Sequence, residues 1–160
     1  MKTFIILFGT LAIISCQKEN AMLNKNLLLN VNHVNKLEIL SRDDKCGEWG
    51  GDEKQLIIYR DDFKSSLLAD YLEKTGNCDD MHGSKITKSI KHIKITDEDS
   101  NLISKIIYEL AKNKINKEPV PSHSGIFNRI ILSDSSFIVN DFPSVELKNF
   151  KKLIDKIEQK

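Results

Sequence analysis

The chain has 160 residues, 40% of them hydrophobic, with 24 basic and 23 acidic side chains and a formal net charge of +1. So even a balance excludes the basic footprint that nucleic-acid binding requires. Charges well mixed among apolar residues exclude a chain disordered throughout. The length fits about one domain, and no internal repeat or low-complexity block divides it.

Lys2 opens the chain, and Phe4 to Ile14 follows without a charge, with only Gly9 and Thr10 outside the apolar set. Such a run is shorter than the roughly 20 residues of a membrane-spanning helix. It fits the apolar core of a secretory signal, with small Ser15 at the cleavage position. The closing residues Ile13-Ile14-Ser15-Cys16 resemble the lipobox of bacterial lipoprotein signal peptides. The resemblance covers residues 1 to 16. It implies removal of residues 1 to 15, acylation of Cys16 and a membrane anchor of several acyl chains, which holds firmly where one chain binds marginally. The alternative is an ordinary secretory signal ending near a cysteine. Gln17-Lys18-Glu19-Asn20 is similar to the short signal, a lysine followed by acids, that carries some Gram-negative lipoproteins to the outer face of the outer membrane. Asn20 departs from it, standing where a second acid is expected. The expected address is the cell envelope, as an outer-membrane lipoprotein facing either the periplasm or the cell surface. Removing residues 1 to 15 takes away one lysine and no acid, leaving 23 of each sign.

With Cys16 assigned to lipid, Cys46 and Cys78 are left, in an oxidising compartment where a disulfide persists. The bridge would close a 33-residue loop, worth about 3–4 kcal/mol by loop-closure entropy. Cys78 and His82 also have the spacing of two metal ligands, with Cys46 and Asp79 or Asp80 to complete a zinc site. A second tightly spaced pair is missing, so the disulfide is the preferred reading and no metal is expected. A cysteine–histidine nucleophilic pair has no local pattern to recommend it.

Residues 16–34 read as the lipidated cysteine and a tether, and residues 35–160 as the globular domain. Leu27 to Val34 is ambiguous between tether and strand: alternation of Leu27, Leu29 and Val31 is weakened by asparagines. Lys36 to Ser41 and Gln55 to Arg60 read as a hairpin with a long loop containing Cys46-Gly47-Glu48-Trp49-Gly50-Gly51-Asp52. Phe63 to Lys74 fits either period, with a third antiparallel strand preferred, and that strand returns Cys78 to the end of the sheet that holds Cys46. Ser89 to Thr96 is a strand. Thr96 then caps a helix to about Asn113, with Asp97, Glu98 and Asp99 in its first turn. Phe127 to Leu132 and Phe137 to Asn140 form a tight hairpin. Pro143 breaks the second strand, and Ser144 caps a last helix to about Glu158. The expected fold class is α+β: one domain with a mostly antiparallel sheet and two amphipathic helices on one face.

No catalytic constellation and no cofactor motif stands out. Asp97-Glu98-Asp99-Ser100-Asn101 starts like a calcium loop but has Leu102 where glycine is required and Tyr108 where glutamate is required. The acid pairs Asp43-Asp44, Asp61-Asp62 and Asp79-Asp80 read as solvated turns rather than glycosidase carboxylates. Pro121-Ser122-His123-Ser124-Gly125 lacks the strand-to-helix nucleophile turn. Trp49, the only tryptophan, either projects to stack on a sugar or anchor a protein, or folds back to cap the core. The expectation is a lipid-anchored binding module, of inhibitor or immunity type, that meets a protein or glycan partner through Trp49, Glu48 and His123. The alternative is a small envelope hydrolase whose site assembles only in three dimensions.

Overall fold

The computed structural model describes residues 28–79 and 83–159. The lipobox with Cys16, most of the tether, and Asp80, Met81 and His82 lie outside the described residues. In chain order the elements are β1 (Leu37–Arg42), a single 3-10 turn (Gly47–Trp49), β2 (Glu53–Tyr59), β3 (Leu68–Gly76), β4 (Ser84–Lys94), α1 (Asp97–Asn116), β5 (Ile126–Leu132), β6 (Ile138–Ser144) and α2 (Lys148–Glu158). The strands form one six-stranded sheet in the order β4-β3-β2-β1-β5-β6. Every neighbouring pair is antiparallel. The fold class and the order β-β-β-β-α-β-β-α are those expected from the sequence.

Strand alternation decides the two faces. Register aligns Tyr71, Leu56, Ile39 and Ile130 in one row, and Ile93, Ala69, Ile58 and Leu37 in the next. All eight are buried. The helices cover this face with Leu102, Ile103, Ile106 and Leu110 of α1 and Phe150, Leu153, Ile154 and Ile157 of α2. Each such aliphatic side chain contributes about 1.5–3 kcal/mol on leaving water. Tyr71 reports the environment: burial first, then the charges of Glu73 and of Glu158 on α2, push its phenol well above the ordinary value of 10.0 and keep it protonated.

Thr96 caps α1 as expected, within a full capping box. Its hydroxyl accepts from Asp99 N, and Asp99 Oδ2 accepts from Thr96 N at 3.0 Å. α2 departs from expectation. Ser144 ends β6 instead of capping α2, whose N-cap is Leu147, with no side-chain cap of its own. Glu109 of α1 takes that role from across the helix pair, accepting from Lys148 N at 3.0 Å and Asn149 N at 3.1 Å. Pro143 does not break the strand. β6 runs through it with a cis Phe142–Pro143 bond, as an edge position without a required amide donor permits.

Two other boundaries move. β4 begins at Ser84 and carries two register shifts against β3, so its polar residues do not keep a simple period of two. β3 begins only at Leu68, because Asp62 Oδ1 accepts from Lys64 N and Ser65 N, both at 2.7 Å, and holds residues 62–65 in a turn. No strand forms over residues 28–34: residues 28–30 are a turn, and Asn32 Oδ1 accepts from Val34 N and Asn35 N.

Candidate functional site

The β1–β2 loop and the β3–β4 connection leave the same end of the sheet, since Arg42 faces Glu53 and Glu53 faces Lys74. Cys46 and Cys78 join them in a disulfide with Cα atoms 5.0 Å apart. The pairing expected from topology is therefore present, and both sulfurs are committed to it rather than to a metal or a thiolate. A second tie runs beside the first. Asp52 Oδ1 accepts from Gly76 N at 3.0 Å, and a side chain at Gly76 would lie 2.7 Å from Gly51 O. Inside the β1–β2 loop, Asp43 Oδ1 accepts from Lys45 N and Asp52 N. A Cβ at Gly51 would fall 1.9 Å from that same oxygen. Gly47 and Gly50 take positive φ values of 62° and 80°, which reverse the chain around the 3-10 turn.

This scaffold carries Trp49 at 59% exposure. The indole does not cap the core. It lies toward the helix-free face of the sheet, over a hollow of about 160 Å³ whose walls include Arg42, Glu53, Lys74 and Asn77. Lys74 Nζ donates to Glu53 Oε1 at 2.8 Å, and the Arg42 guanidinium stacks 5.7 Å from the Phe127 ring centre. Glu48 is exposed on the same 3-10 turn. His123 is exposed in the loop between α1 and β5 and does not line the hollow. The site thus brings Trp49 and Glu48 together and leaves His123 apart. Arg42, Glu53 and Lys74 were missed by reasoning from the loop alone. Strand alternation carried the signal, because β1, β2 and β3 place Arg42, Glu53 and Lys74 on one face as register partners in a row.

The helix-covered face offers a larger groove, of about 340 Å³, lined in part by Asp43, Asp52, Lys54, Phe150 and Asp155. Of its acids, Asp43 and Asp52 each use one carboxylate oxygen to accept from main-chain amides, Asp43 from Lys45 N and Asp52 N and Asp52 from Gly76 N. Further along, Lys117 Nζ donates to buried Asp141 and, at 2.6 Å, to Pro143 O. Ser144 Oγ donates to Asp141 Oδ2 at 2.6 Å and accepts from Asn128 Nδ2 at 2.8 Å. This chain of bonds ties the end of α1 to β5 and β6. Among the described residues no group of three or more His, Cys, Asp or Glu is placed to hold a metal ion. No family model, curated protein or solved structure matches the chain.

Proposed function

We propose that the protein is a lipid-anchored binding module of the cell envelope, held through acylated Cys16, that meets a protein or glycan partner with the loop carrying Trp49 and Glu48. One observation carries the reading: the chain's only tryptophan is 59% exposed on a loop fixed by a disulfide, an aspartate pin and a glycine–glycine approach. Leaving a large aromatic in water costs solvation free energy, and fixing the loop beforehand lowers the entropy lost when a partner arrives. The amphipathic indole suits both partner classes, with a flat apolar face for a sugar ring or a protein pocket and an N–H for orientation. The neutral charge balance supports recognition by shape and stacking over long-range steering.

The test has two arms. Mass spectrometry of the mature chain should find acyl groups on Cys16, and their absence would remove the anchor. Partner capture from envelope extract should be lost with Trp49→Ala and kept with His123→Ala. Undiminished capture by Trp49→Ala would move the binding surface elsewhere.

A further inference from the structure

The sheet has two edges, and only one is guarded. β4 presents Lys85, Lys88, Lys91 and Lys94, two bulges, and His92 in the left-handed region at φ 57°, all features that obstruct pairing with another strand. β6 has no lysine or arginine between Ile138 and Ser144. Its single charge, Asp141, is 1% exposed and neutralised by Lys117. Ile138 and Phe142 stand 47% and 42% exposed.

The register fixes which backbone groups face outward. Leu132 N donates to Phe137 O, and the ladder continues with Ile130 against Val139 and Asn128 against Asp141. Hydrogen bonds alternate along an antiparallel pair. Residues 137, 139 and 141 therefore bond to β5, and Ile138 and Asn140 turn their N–H and C=O away from the sheet. Pro143, which has no N–H, ends the available stretch.

We infer that β6 pairs with β6 of a second copy of this chain, antiparallel about a two-fold axis at Asn140. The segment Ile138–Phe142 is self-complementary in that register. Asn140 meets the partner's Asn140 in a hydrogen-bonded pair, and Ile138 meets the partner's Phe142, a β-branched residue against an aromatic on both sides of the axis. No like charges meet. The same operation on β4 would bring lysine rows together, which explains why one edge is guarded and the other is not. The two sheets join into one of twelve strands, and the axis stands perpendicular to it.

Cross-linking in intact envelopes tests the register. Antiparallel hydrogen-bonded pairs hold their Cα atoms about 5.5 Å apart, within disulfide range. Asn140→Cys should give a disulfide-linked dimer under mild oxidation, and Ile86→Cys on the β4 edge should not. Equal cross-linking at both positions, or none at Asn140→Cys, overturns the proposal. Ile138→Lys should shift the purified full chain from dimer to monomer in sedimentation. A wild-type chain that is monomeric up to about 1 mM also overturns it, even a weak dimer being half formed by then.

Discussion

The helix layer and the stapled loop end are ordered in different ways. In the helix layer the chain is held by apolar burial: rows of mostly isoleucine and leucine on β1 to β5 meet the inner faces of α1 and α2. Over the Cys46–Cys78 bridge hardly any apolar surface is hidden, and Trp49 stands in solvent. Order there comes from a covalent bond, two aspartate pins and glycines that let main chains touch. Burial is distributed over many residues. The loop end depends on a few, each without a substitute.

The largest expected effect belongs to the helix layer. Leu110→Ala should destabilise by about 3–5 kcal/mol, as lost burial plus a cavity, in denaturant titration. If it cost under 1 kcal/mol, the layer would not be the packed body described. Reducing the disulfide, or replacing both Cys46 and Cys78 with serine, should cost about 3–4 kcal/mol through the freed unfolded chain. Hydrogen exchange should then quicken in residues 43–52 well before α1, which sharpens the contrast, whereas uniform quickening would erase it. Gly51→Ala should cost about 1–3 kcal/mol through overlap with Asp43 and should shift Trp49 fluorescence. The smallest effect is electrostatic. A hydrogen bond from Lys156, followed by its charge, holds the Glu98 carboxyl below its usual 4.5. Its contribution is present above the ordinary carboxylate range and fades as pH falls through the lower folded value. Glu98→Gln, which leaves the ion pair of Lys156 with buried Asp99 in place, should therefore flatten the acid limb of a pH–melting curve slightly.

The same contrast governs what could be read in the sequence. Strands and helices that bury a face announce it by period, so the order of elements, the α1 stripe and the Thr96 cap were legible. The disulfide followed from topology, because β3 returns the chain to the end where Cys46 sits. What escaped was non-local. Glu109 caps a helix 39 residues further along, so Ser144 looked like the local candidate while its hydroxyl is spent on Asp141. Pro143 looked like a terminator, since sequence alone does not reveal that β6 is an edge. At the site, Trp49 and Glu48 were visible as residue types, but the walls of the hollow are contributed by β1, β2 and β3 together, and only their register assembles them.

The Glu109 cap also bears on the order in which the two helices form. α2 has 11 residues and no side-chain cap of its own, and a helix of that length is marginal in isolation. Its first amides find their acceptor only after α1 has formed and turned Glu109 toward them. The α2 segment is thus a passenger on α1, folding against a template already in place rather than nucleating by itself.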